Sequence, residues 1–582
     1  MKKINKTIIF LLLSSFVFVG CDKLLDVESE RDVFAEDYNF TSANDTLYSM
    51  FGIFSQLQKL AESYVILGEV RGDLMDLSSK SSYYLKDIND FNTVTADNPY
   101  TNVKDYYSVI NNCNYVIHNI DTSIVRNAQK IMLKEYAACK AIRAWTYMQL
   151  ALNFGSAVYY EQPILTVADA ENIQKQPAKT FDELIPLLIS DLLPYRDIEE
   201  PKLGTLRDYN TNLSYFPVRF LLGDLYLWSG QYENAANEYY DLIYNNRYLI
   251  QKDVFVTSRA VVKGTDHDAF TGSWTFTNFG WSGLFQPNTI EQITDIGVTN
   301  EYKKLFSLDS LTQNKTLLPS AIALNNWDIQ NYFYSAKLDT LGDLRKYQSV
   351  YNDGSWLFED IFSPNKIKDF YIYKYLIMNP LQTPSTTAYK VAKQVIVYRV
   401  ALLYLRYAEA LNRLGKPNSA LAVLKNGLNA SNLKNPKVVP NKELNRVITQ
   451  SIIKSKLHPT EDSIKYDTTY VAPRYMNFAG TQFNTNIGIR MRSLGNANLD
   501  TTYVIPKLNS KNDSILYVEN KISDELALET AFEGNRFHDL MRFAIRRNDN
   551  TYLAEKVAAK HINNKEAIKS KLLNRQNWYI RR

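Results

Sequence analysis

The residues of this 582-residue chain that could do chemistry are five histidines, three cysteines and 62 carboxylates. His118, His267, His458, His538 and His561 are scattered along it. No two fall at the His-Glu-x-x-His spacing that sets two imidazoles on one helix face around zinc. The sequence holds no Gly-x-Ser-x-Gly elbow and no glycine loop of the kind that cradles phosphate. Two carboxylates can hydrolyse a glycosidic bond, but among 62 acids any pair is uninformative. No metal or cofactor is called for, and the reading is of a protein that is not an enzyme.

One cysteine stands apart. Lys2, Lys3 and Lys6 precede an apolar run from Ile8 to Gly20, and Cys21 follows directly. A positive start, a short apolar core and a small residue before the cut make a secretory signal. The run is shorter than the roughly 20 residues a spanning helix needs. Cysteine at the cut is the mark of a bacterial lipoprotein, so Cys21 is the expected lipidation site, and several acyl chains on one residue give a stable anchor. Removing the three leader lysines leaves 63 basic residues against 62 acids, a net charge of +1. That is no electrostatic footprint for nucleic acid. Cys113 and Cys139 lie in patterned helical stretches, where free cysteine acts as a small core residue.

A dense block of charge sits near the C-terminus. Glu529, Glu533, Gly534, Arg536, Asp539 and Arg542 fall among Phe537, Leu540, Met541 and Ala544, whose spacing buries one helix face. Glu533 with Arg536, and Asp539 with Arg542, have the spacing of ion pairs on a helix. These residues read as a structural network that locks the last helices to the core, rather than as a carboxylate–arginine site.

Several elements must hold these groups. Apolar spacing predicts helices over 44–60, 102–120 and 128–153, with Phe154-Gly155 ending the third and Thr180 capping a fourth. At 215–246, Gly223, Tyr226, Gly230, Ala235 and Tyr239 follow tetratricopeptide spacing, and Ala408, Leu411, Gly415, Ala420 and Leu424 repeat the same offsets at 396–430. Such pairs stack into a scaffold. Residues 251–395 lack long amphipathic periods and read as loops with short strands, the usual seat of binding on a rigid frame. The expectation is a mainly α fold: tetratricopeptide-like helical pairs forming a scaffold, with a large irregular loop-rich region and short β-strands. Its organisation is a signal peptide at 1–20, a lipidated tether at 21–43 and one body at 44–582. Within the body, helical pairs fill about 44–250 and 396–430, the irregular region about 251–395, and strands and two short helices 470–582.

Five segments together carry a resemblance. They are Cys21-Asp22-Lys23-Leu24-Leu25-Asp26; Glu135 to Tyr147 with Phe154-Gly155; Tyr398-Arg399 with Tyr407-Ala408-Glu409-Ala410-Leu411; Gly488-Ile489-Arg490-Met491-Arg492-Ser493-Leu494-Gly495; and Glu529 with Ala531-Phe532-Glu533-Gly534, Arg536, Asp539-Leu540 and Arg542. In this order, nearly end to end, the chain resembles the SusD/RagB family, where the fourth of these segments is a strand. The resemblance implies a lipid-anchored protein on the exterior of the outer membrane that caps a SusC-like TonB-dependent β-barrel transporter. It implies an oligosaccharide or peptide ligand, bound by the irregular part and passed inward. A surface scaffold or adhesin, or a glycoside hydrolase, is the alternative.

A sugar has apolar C–H faces and polar edges, so its sites pair aromatic platforms with amides and carboxylates. The candidates are Trp274, Trp281, Trp327 and Trp356 of the irregular region, and Tyr83, Tyr84 and Asn92 in the loop expected after the first helix.

Overall fold

The computed structural model describes residues 43–202, 204–206, 209–250, 261–263, 268–270, 284–285, 289–298, 304–334, 337–339, 342–343, 345–352, 370–375, 393–453, 463–493, 498–499 and 502–582. Among these the fold is mainly α with short antiparallel strand pairs. No described helix is long and apolar enough to cross a membrane. Cys21, Trp274, Trp281 and Trp356 lie outside the described residues.

Helix α1 (Ala43–Leu57) passes through a short 3-10 turn into α2 (Ala61–Glu69), which is buried almost throughout. Strand β1 (Met75–Leu77) and the short helix α3 (Tyr83–Asn89) follow. Helix α4 (Val103–Asn119) packs on α5 (Leu133–Phe154). The latter begins later than its pattern suggests, because Gln129–Lys130 pairs with Val125–Arg126 in a small hairpin. Gly155, at φ +87°, ends α5 in the left-handed conformation open to glycine. Helix α6 (Phe181–Leu192) starts at Thr180, whose N–H donates to the Glu183 carboxylate at 2.7 Å.

The two repeat-like segments form helical pairs, α7 (Val218–Ser229) with α8 (Tyr232–Asn246), and α9 (Val400–Arg413) with α10 (Pro417–Lys425). Gly230 and Gly415 occupy matching turns, each at φ +78°. Gly223 is small for a different reason: a Cβ there would stand 2.4 Å from the ring of Tyr239. Cys113 and Cys139 are buried and free.

Strand β2 (Gln292–Val298) pairs antiparallel with β4 (Lys393–Arg399), and β3 (Leu317–Pro319) with β1. A long hairpin, β5 (Asn445–Ile453) with β6 (Ser463–Val471), forms where the sequence pattern announces no strand pair. The family resemblance implies a strand over 488–495; Ile489–Ser493 makes a 3-10 turn instead. There Arg490 and Arg492 serve carboxylates on different elements, Glu525 for one and Glu291 with Glu529 for the other. The expected two C-terminal helices are joined by more: α11 (Lys511–Glu529), α12 (Arg536–Arg547), α13 (Asn550–Ala558) and α14 (Lys565–Leu572).

Candidate ligand surface and the buried ionic core

Helix α3 presents two tyrosines at the surface. Ser82 caps it by accepting from the Leu85 N–H at 3.4 Å, and Leu85 and Ile88 bury its inner side. Tyr83 is left 53% exposed, with its ring centroid 4.0 Å from that of Tyr84. The Tyr84 hydroxyl donates to Asp97 Oδ2 at 2.6 Å, which fixes the second ring. Hydrogen bonds from Thr95 and Tyr84 hold the Asp97 carboxyl below its ordinary range, while the bond to Asp97 raises the Tyr84 phenol. Nearby, Asn92 donates to Asp87 Oδ1 at 3.3 Å and accepts from Lys571 Nζ at 3.2 Å. An exposed aromatic pair with a carboxylate at its edge can stack on an apolar face and hydrogen-bond to polar edges. Asp97 is poised to accept hydrogen bonds rather than to release a proton.

Trp327, expected among the ligand-facing rings, is a core residue. It is fully buried on the short helix Ala321–Asp328, its indole N–H donates to the Leu528 carbonyl at 3.1 Å, and its ring packs 6.0 Å from Phe532. Its spacing from buried Ala323 on that helix was the signal for packing.

The C-terminal charged residues are buried together. Glu529 meets Arg345 at 2.5 Å, Arg399 at 2.9 Å and Arg492 at 3.2 Å. Burial alone raises its carboxyl, but Arg399, Arg345 and Arg492 outweigh this and hold it down at about 2. Glu533 pairs with Lys374 at 2.5 Å and Arg399 at 2.7 Å. Arg399, Arg492 and Glu291 close the cluster between β2, β4 and the turn at 489–493. Asp539 and Arg542 pair within α12 at 2.8 Å, and Arg542 also grips Glu409.

The expected Glu533–Arg536 pair does not form. Phe532 at φ +69° and Gly534 at φ +90° turn the chain before α12 begins, so helical spacing does not apply to Glu533. Gly534 lies where a Cβ would meet the Tyr64 ring at 2.6 Å. Glu69, which the sequence reading did not single out, accepts from the N–H groups of Phe532, Gly534 and Asn535 at 2.8–3.1 Å and caps this turn.

Residues 291–426 match the model of the SusD family. A SusD-like protein of Formosa agariphila is 23% identical over 449 residues, 73% of this chain and 82% of that protein. A SusD superfamily structure from Bacteroides vulgatus aligns with a TM-score of 0.57 at 14% identity, over 93% of this chain and 96% of that one. A SusD homologue from Bacteroides thetaiotaomicron aligns at 0.56 and 14% identity, over 90% and 89%. A laminarin-binding SusD-like protein aligns at 0.50 and 13% identity, over 91% and 96%. The matched segment carries the β2–β4 ladder and the α9–α10 pair, and the chain as a whole shares the fold of these SusD superfamily structures.

Proposed function

We propose that this chain is a nutrient-binding lipoprotein of the outer-membrane surface, anchored through Cys21. It captures a glycan and delivers it to a SusC-like TonB-dependent transporter. The observation that carries the binding reading is the exposed Tyr83–Tyr84 pair, held rigid by Asp97 on a helix seated in the core. A relative of the same fold that binds laminarin supports a glycan as the ligand. Trp274, Trp281 and Trp356, which lie outside the described residues, remain candidate ligand contacts, whereas buried Trp327 does not. We read the protein as a binder without catalysis. Asp97 accepts from the Tyr84 hydroxyl at 2.6 Å, which suits a hydrogen-bonding group at the edge of the pair.

The test is calorimetric titration of the mature chain with β-glucans, other neutral and acidic oligosaccharides, and oligopeptides, with the products analysed afterwards. Binding of a glycan that is recovered intact supports the reading. Cleavage of the glycan makes the protein a hydrolase, and a peptide as the sole ligand moves it to the peptide-binding branch. No ligand at all leaves a scaffold. The anchor is tested by fractionation, and the transporter by co-purification from the outer membrane with the tagged chain.

A further inference from the structure

Hairpin β5–β6 stands clear of the core. Every residue from 445 to 451 and from 465 to 471 is exposed. Its nine-residue strands pair in unbroken register, from Asn445 opposite Val471 to Ile453 opposite Ser463, and form a two-stranded sheet of their own. Neither strand carries a proline or a bulge, two of the devices that blunt an open edge. An isolated two-stranded ribbon is marginal in water, and three or more strands with an apolar face are needed for independent stability. The register places Arg446, Ile448, Gln450, Tyr466, Thr468 and Tyr470 on one face. Ile448 is 53%, Tyr466 64% and Tyr470 43% exposed there. The other face of β6 carries Lys465 and Asp467, both exposed, 3.2 Å apart along the strand.

We propose that the outer edge of β6 pairs with β6 of a second copy of this chain, antiparallel, about a two-fold axis through Tyr466. The charges select this register. A two-fold axis normal to an antiparallel sheet passes through a residue that faces its own copy. Centred on Lys465 it opposes lysine to lysine, and centred on Asp467 it opposes aspartate to aspartate. Centred on Tyr466 it sets Lys465 opposite the Asp467 of the second copy, twice, and Tyr466 opposite itself on the other face. Opposite charges and aromatic pairs across strands stabilise a sheet, and like charges directly opposite destabilise it. The product is a four-stranded ribbon, past the two-strand limit, with the Ile448, Tyr466 and Tyr470 rows of both copies joined. The hairpin shares no residue with the Tyr83–Tyr84 pair, and the proposal does not rest on the glycan reading.

The experiment is sedimentation velocity of the full mature chain in detergent, across a concentration series. A reversible monomer–dimer equilibrium is expected. Lys465→Asp alone, or Asp467→Lys alone, weakens it by about tenfold or more, since two attractive pairs become repulsive. The double exchange Lys465→Asp with Asp467→Lys restores it. Melting curves accompany each variant; these exposed positions, 57% and 52% accessible, leave the fold intact. A monomer at every concentration overturns the proposal. So does a dimer that ignores the single variants, or one that the double exchange fails to restore.

Discussion

Arg536 closes on Asp73 with two charge-assisted hydrogen bonds, at 2.6 and 2.8 Å, across 463 residues of sequence. Its third contact is the Ser523 carbonyl at 2.9 Å. The side chain therefore joins the start of α12, the segment after α2, and α11 in one buried clamp. Beside it, Glu69 at the end of α2 caps the same turn. Removing one member of a buried pair strands the other charge, at a cost of about 3–5 kcal/mol. We expect Arg536→Ala to lower the melting temperature sharply while the folded fraction keeps its ligand affinity. Asp73→Ala should cost a similar amount, and the double variant much less than the sum, because both changes remove one interaction. Chemical denaturation of the four proteins of this cycle is the check. A stable Arg536→Ala protein that no longer binds would make the cluster part of the ligand site.

Much of this architecture is legible in the sequence, and the misses have physical causes. Residues with period-3.6 burial announce their helices, and the shared offsets of Gly223 and Ala408, or Gly230 and Gly415, announce the repeated pair. Asp539 and Arg542 pair as helical spacing requires, because both lie inside α12. Glu533 and Arg536 do not, because a positive-φ turn separates them, and the partners of Arg536, Glu533 and Glu529 come from distant segments that no local rule reaches. Hairpin β5–β6 was readable in principle: Val447, Ile448, Thr449, Thr468, Thr469, Tyr470 and Val471 are strand formers. Its alternation is blurred because both faces meet water. Trp327 misled for the opposite reason, since polar neighbours such as Asn325, Asn326 and Asp328 hide a fully buried ring.

Two glycines in helix interiors should respond to alanine with opposite signs. A Cβ at Gly223 would stand 2.4 Å from the Tyr239 ring, whose hydroxyl is tied to Asp224 at 2.6 Å and cannot swing away. Overpacking of this kind costs about 1–3 kcal/mol, more than alanine gains over glycine in a helix. Gly52, exposed on α1, has nothing within 4 Å of an added Cβ. Gly52→Ala should stabilise by up to about 1 kcal/mol. Paired melting curves decide both.

Acid should unfold the protein partly through Glu529. Its folded carboxyl is held at about 2, below the ordinary 4.5. A carboxyl with a depressed folded value stabilises the fold fully above its unfolded value, and that contribution is lost as pH falls through the folded value. The window therefore runs from about pH 5 to pH 2, and the shift corresponds to about 3 kcal/mol. Unfolding free energy of the wild type should fall across this window. Glu529→Gln, less stable at neutral pH because three arginines lose their anion, should show a shallower slope. Equal slopes would remove Glu529 from the account of acid unfolding.

The ligand surface gives a prediction that separates stacking from packing. Tyr83 is exposed and its ring holds up no part of the core, so Tyr83→Ala should leave the melting temperature nearly unchanged. A stacked ring contributes roughly 0.5–1.5 kcal/mol beyond area, so glycan affinity should fall by about two- to tenfold. Tyr84→Phe tests the support: it keeps the ring but removes the hydroxyl bond to Asp97, so a smaller loss is expected from a ring free to tilt. Trp327→Ala is the control with the reverse signature. It empties a buried site and strands the Leu528 carbonyl, at a cost of about 3–5 kcal/mol in stability. Whatever remains folded should bind as the wild type does. Calorimetry and melting curves on the three variants, with one glycan that the wild type binds, resolve the matter. If Tyr83→Ala binds unchanged, the platform moves to Trp274, Trp281 and Trp356, and α3 becomes a surface helix without a part in recognition.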